Sequence, residues 1–230
     1  MLLLGPVSWA QDSVLFKTYN FNELSTKLGY PSDNFFGSSE EEILDLDTYT
    51  TKDDTFYRDI NLYLRSLPNK KIDWTSVNPE DSAKIVKSID AIYKRVPALP
   101  SDLILFRGID LNYRNNKSFD RGGEYIEKGY VSTSSSFKVA NYFANEINDN
   151  ATSSSLKALM VLYSNKPGLK GILIDQGEDE VLLSHGEKIK IMEVDKSKKY
   201  DLYLVQICST ICEAQTKPSA LNAFNKISKH

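Results

Sequence analysis

Between positions 52 and 67, Phe56, Ile60, Tyr63, Leu64 and Leu67 recur every three or four residues. That spacing winds apolar side chains onto one helix face, and Pro68, lacking an amide hydrogen, ends the run. A second helix opens at Asn78-Pro79, a cap followed by proline in the first turn, and carries Ile85, Val86, Ile89, Ile92 and Tyr93 inward until Pro97. Ser38-Ser39 followed by Glu40-Glu41-Glu42 puts hydroxyls and carboxylates where the free amides and dipole of a helix start favour them. The first hundred residues therefore read as helical.

After Pro100 the pattern shortens. Leu103–Phe106, Glu124–Ile126, Tyr130–Thr133, Leu159–Tyr163, Gly171–Ile174, Val181–Leu183, Lys188–Val194 and Tyr200–Ile207 read as strands. One helix interrupts them from about 137 to 147, with Ala140, Phe143, Ala144 and Ile147 on one face. Helices first and strands afterwards indicate an α+β fold, not an alternating parallel sheet.

Length and charge narrow the classes. A chain of 230 residues, 41% hydrophobic, has enough apolar surface for one large domain. A net charge of −3 argues against nucleic acid as partner, and no run approaches the roughly 20 apolar residues of a membrane span. His185 and His230 are the two histidines, Cys208 and Cys212 the two cysteines. Their spacing matches no zinc pattern, so no metal is expected, and a Ser-His-Asp triad would have to use His185, which reads as a turn residue. Neither the dinucleotide glycine fingerprint nor a phosphate-loop lysine motif occurs, so a nucleotide would be held another way.

Residues 1–10 end in Ser8-Trp9-Ala10 after a short apolar run and read as the remnant of a secretory signal, although a basic leader is missing. Residues 11–230 then form a single domain, helical over about 11–100 with a β-rich core over about 101–210. If the chain is exported, Cys208 and Cys212 can close a very small disulfide loop; if not, they are two small apolar side chains.

Three segments carry candidate chemistry. Arg107 ends an apolar strand and is followed by Gly108: a guanidinium suits a forked grip on phosphate, and a glycine lets backbone approach a flat ligand. In Ser132-Thr133-Ser134, strand alternation puts the two serines on one face and the threonine on the other. In Gly177-Glu178-Asp179-Glu180, an extended Glu178 would share a face with Glu180. Paired carboxylates beside an arginine and hydroxyls suit cleavage of a glycosidic bond, one stabilising the cation on the sugar and the other taking a proton from the nucleophile.

Arg107, Ser132-Thr133-Ser134 and Glu178-x-Glu180, in that order, resemble the signature of bacterial mono-ADP-ribosyltransferase toxins, in the branch with the clostridial actin-modifying enzymes. Glu180–Gly186 and Lys188–Ile191 resemble the strand pair after the catalytic glutamate there. The resemblance spans Leu103 to about Val194, and the helical part agrees in kind. It implies an N-terminal helical layer packed on two antiparallel-rich sheets, with NAD in the cleft between them. It implies that Arg107 holds an NAD phosphate, that Gly108 clamps the nicotinamide amide, and that Ser132 supports Glu180. Thr133 and Ser134 would line the site, and Phe143 would stack on nicotinamide. Glu180 would bind the ribose hydroxyl and stabilise the oxocarbenium ion. Glu178 would face an arginine acceptor, whose pKa above 12 calls for a carboxylate to orient and deprotonate it.

The implied enzyme is a secreted monomer acting inside a host cell. It would move ADP-ribose from NAD, its substrate, to arginine on a host protein and release nicotinamide, with side NAD glycohydrolase activity. Two departures from the pattern stand out. Asp175, followed by Gln176, occupies the place of an aromatic that docks the protein target, which puts actin in doubt as that target. The second phosphate-binding arginine is missing from the helix after Ser134, leaving Arg121 or Lys128 as substitutes. The alternatives are an NAD glycohydrolase, a transferase to another residue, or a non-catalytic binding protein on the same scaffold.

Overall fold

A computed structural model describes residues 16–31, 35–51, 55–66, 77–110, 119–145, 157–174, 177–196, 200–214 and 218–228. The signal-like residues 1–10, with Asp175 and Gln176, lie outside them. Helix starts are set by side chains that satisfy free amides. Asn20 accepts from the Glu23 amide while Glu23 reaches back to the Asn20 amide, opening α1 (Phe21–Leu28). Ser39 and Glu42 repeat that exchange at α2 (Glu40–Thr50). The predicted amphipathic helix is α3 (Phe56–Arg65), and Asn78 caps α4 (Pro79–Arg95) through the amides of Glu80 and Asp81.

All eight predicted strands are present: β1 (Leu105–Asp110), β2 (Glu124–Glu127), β3 (Val131–Ser134), β4 (Lys157–Ser164), β5 (Gly171–Ile174), β6 (Glu180–Leu183), β7 (Glu187–Asp195) and β8 (Asp201–Cys208). α5 (Phe137–Asn145) follows β3, and Ile147, assigned to its apolar face, lies outside the described residues. α6 (Pro218–Ile227), which the sequence pattern did not predict, closes the chain.

The strands form one sheet in the order β2-β7-β8-β4-β1-β3-β6-β5, antiparallel except for β4–β8. Two sheets were expected. The reason for the difference is a single register pair, Phe106↔Ser134, which joins β1 to β3 and makes the hydrogen bonding continuous. In packing, the two halves still behave as a sandwich. Leu105, Met160, Leu162, Tyr203 and Val205 of the five-stranded half share a core with Val131, Leu173, Val181 and Leu183 of the three-stranded half. Alternate residues face outward: Ile172, Ile174 and Leu182 pack under α2, α3 and α4, while Phe106, Leu159, Val161 and Leu204 pack under α5 and α6. The helical layer covers one half of the sheet, and α5 with α6 cover the other.

Of the two states left open for the cysteines, the bridge is the one present: Cys208, buried at the end of β8, is disulfide-bonded to Cys212 with Cα atoms 4.9 Å apart. Among the described residues, no helix is long and apolar enough to cross a membrane.

Candidate active site

β1 pairs with β4 from Leu105 to Asp110 but with β3 at Phe106↔Ser134 alone, so beyond Phe106 the two halves part. Arg107 is the first residue past that join. Ser134 in turn pairs with Glu180, the first residue of β6, which also faces Ile174 on β5. Directly opposed residues project to one face, so Phe106, Ser134 and Glu180 form a row across three strands, with β1 and β6 about 10 Å apart. The three motifs, distant in sequence, therefore converge at the mouth between the halves.

The serine-threonine trio divides its work. Ser132 is the exposed member of β3. Thr133 is buried and donates its hydroxyl to the Val181 carbonyl on β6. Ser134, also buried, donates to the carbonyls of Glu178 (2.8 Å) and Asp179 (3.2 Å) and accepts from the Ser136 amide at 3.0 Å. The Ser135 amide adds a bond of 3.0 Å to the Asp179 carbonyl. Thr133 and Ser134 thus stitch the glutamate segment to β3, and Ser132 is the one whose side chain is open to a ligand.

The structure adds to two readings of the sequence. Glu178, which would share a face with Glu180 if the strand reached it, lies outside the strand: β6 begins at Glu180, and Gly177 and Asp179 have φ of 80° and 47°. Both lie in the left-handed region, so strand alternation does not relate Glu178 to Glu180. Gly108 meets a packing demand as well as the one inferred from the sequence. A Cβ there would stand 2.2 Å from the Ala140 carbonyl oxygen, 2.5 Å from the Ala144 amide and 2.8 Å from Phe143 Cβ. Its bare α-carbon is where α5 seats against β1. Phe143 belongs to that contact, and its ring meets Tyr142 edge-on at 6.0 Å between centroids.

The helical layer supplies polar groups that the sequence pattern does not single out. Asn61 on α3 is buried; it donates to the Tyr49 hydroxyl at 3.0 Å and accepts from the Tyr130 amide at 2.9 Å. Burial holds the Tyr49 hydroxyl far above the ordinary tyrosine range; Asn61 opposes that, Glu180 adds to it, and Arg107 and Arg65 work against it. Tyr49 therefore feels the charges of both motifs. Tyr93 donates to the Leu182 carbonyl at 2.6 Å, and it too is pushed up by burial first, with Glu180 among the charges that add. The signal for Asn61 was in the sequence: an amide directly after Ile60 and three before Leu64 sits inside an apolar stripe.

Arg121 lies elsewhere, bonded to Glu193 on β7 at 2.9 Å. Lys128 lies in the short β2–β3 connection. His185 occupies the β6–β7 turn, as expected, with Nε2 3.2 Å from Asp90 Oδ2 on α4 and its ring edge-on to Tyr130. The Asp90 hydrogen bond raises its pKa, partly offset by burial. A raised folded-state pKa means stabilisation present below the ordinary value near 6.5 and lost as pH climbs through the folded value. His185→Gln is therefore expected to lower stability at pH 6, by about 1 kcal/mol or less for this half-exposed pair, and to have less effect at pH 8.5. Thermal melts of wild type and variant at both values check this; an equal gap at both would dismiss the pair.

The family model described as ADP-ribosyltransferase exoenzyme matches residues 14–210. The chain belongs to this family. As an ADP-ribosyltransferase it has structural relatives of low sequence identity, which speak for the fold. Vis of Vibrio splendidus, solved in complex with agmatine, is 16% identical with a TM-score of 0.60, over 89% of this chain and 94% of that one. An ADP-ribosyltransferase of Clostridium botulinum is 19% identical at a TM-score of 0.59, over 84% and 99%. Exoenzyme S of Pseudomonas aeruginosa, solved with human 14-3-3 protein beta and carba-NAD, is 16% identical at 0.56, over 89% and 95%. No curated protein matches the chain.

Proposed function

We propose that this ADP-ribosyltransferase is a secreted toxin that moves ADP-ribose from NAD to an arginine of a host protein. Arg107 grips an NAD phosphate by charge and forked hydrogen bonding. Ser132 orients Glu180, and Gly108 and Phe143 line the nicotinamide side. The bond between ribose C1′ and the nicotinamide nitrogen breaks, and its electron pair leaves with nicotinamide. Glu180 lies against the positive charge left on the sugar. A guanidino nitrogen of the acceptor bonds to C1′, and its proton passes to Glu178 and on to water.

The observation that carries arginine as acceptor is the second carboxylate, Glu178, two positions before Glu180 on a segment held by Ser134 and Ser135. Agmatine, a free guanidine bound in the solved Vis complex, is the natural probe. The disulfide supports passage through an oxidising compartment on the way to the host. Wild type should transfer label from adenine-labelled NAD to agmatine. Glu178→Ala should lose about 10²-fold or more of that transfer while nicotinamide release persists. Release without labelling by wild type would make the protein a glycohydrolase or a transferase to another residue.

A further inference from the structure

Glu178 and Glu180 are separated by one residue, and its backbone is unusual. Asp179 has φ of 47°, a conformation that aspartate and asparagine tolerate, glycine adopts freely and β-branched residues avoid. Gly177, on the other side of Glu178, has φ of 80°. The carbonyls of Glu178 and Asp179 are both taken by β3 and its extension, through the Ser134 hydroxyl and the Ser135 amide. Glu180 is fixed by backbone pairing, in the ladder between Ser134 and Ile174.

We infer that Asp179 is a positioning residue for acceptor specificity: its left-handed backbone, not its carboxylate, turns Glu178 out of the β6 line toward the acceptor. This rests on the transfer to arginine proposed above. The two glutamates are anchored by different means, so the turn can be altered while Glu180 stays in its ladder. A β-branched residue at 179 cannot hold φ near 47° without strain, so the turn must open and carry Glu178 with it. Misplacing a reacting group by about 1 Å can cost about 10²-fold in rate. The chemistry at C1′ draws on Glu180 and Arg107, and water as acceptor needs no orientation by Glu178.

The test is a series at one position: wild type, Asp179→Asn, Asp179→Gly, Asp179→Ala and Asp179→Val, each assayed for agmatine labelling and for nicotinamide release without acceptor. Asn and Gly should keep the ratio of transfer to hydrolysis within about threefold of wild type. Val should lower it by about 10- to 100-fold with hydrolysis retained, and Ala should fall between. A purely structural loss would lower both activities together and leave the ratio unchanged. If Val fails to fold by thermal melting, the Gly–Ala comparison still decides. A ratio indifferent to substitution overturns the inference; so does a Gly variant as impaired as Val, which would put the role in the carboxylate, or a Val variant that folds but loses hydrolysis equally. No labelling by wild type overturns the arginine reading itself, and the acceptor role of the turn with it, an outcome distinct from labelling that ignores position 179.

Discussion

Replacing Glu180 by alanine is expected to lower nicotinamide release and transfer together, by about 10²- to 10³-fold or more, with little change in melting temperature. Both activities pass through the same cationic sugar, and in the proposed reaction Glu180 is the carboxylate that faces it. Its backbone is held by pairing with Ser134 and Ile174, which the substitution leaves in place. The side chain is half-buried at the first position of β6, outside the apolar core that Val181, Leu182 and Leu183 fill. Activity should therefore fall without a matching fall in stability. Steady-state nicotinamide release beside calorimetry of the same preparations makes the comparison. An active Glu180→Ala enzyme would mean that the charge is stabilised elsewhere.

Gly108→Ala is expected to do the reverse and act through stability. The added methyl would lie 2.2 Å from the Ala140 carbonyl oxygen and 2.5 Å from the Ala144 amide. Both are backbone atoms of α5, so no side-chain rotation relieves the contact and the helix must shift. Overpacking of this kind costs about 1–3 kcal/mol, or a melting temperature lower by about 3–10 °C in a chain of this size. Activity should fall as well, since α5 carries Phe143 and follows directly from Ser134–Ser136. The variant needs only a melting curve and an NAD hydrolysis assay. A melting temperature equal to that of wild type would show that α5 has more room than its packing on β1 indicates.

The fold was legible because its elements are short and separately punctuated. The caps at Ser39 and Asn78, Pro97, and the apolar runs from Leu103 to Ile207 each carry their own local signal. The convergence of Arg107, Ser134 and Glu180 was legible only through the resemblance, because register between distant strands leaves no mark in any one segment. Three things escaped for physical reasons. The packing demand at Gly108 escaped because a glycine at a strand end gives no sign of which backbone it must admit, here that of α5. The turn at Glu178 escaped because Asp179 reaches a left-handed φ without being glycine. Tyr49 escaped because a polar group buried in a helix–sheet contact differs from a core residue only in the partners it finds, and Asn61 because an amide beside an apolar stripe does not say what it bonds.

The single pair that joins β1 to β3 bears on how the protein comes to exist. The chain does not complete one half of the sheet before starting the other: β1 and β2 belong to the larger half, β3 to the smaller, β4 to the larger, β5 and β6 to the smaller, β7 and β8 to the larger. Arg107 and Glu180 stand more than seventy positions apart, and the larger half needs β1 from one end of that interval and β7 and β8 from beyond the other. Contacts this distant form late, after most of the loop-closure entropy has been spent. The larger half cannot close until β7 and β8 join β4, so the cleft between the halves is among the last features to form. Any route that delivers this chain unfolded would bring it to the far side without catalytic power until the whole sheet had closed.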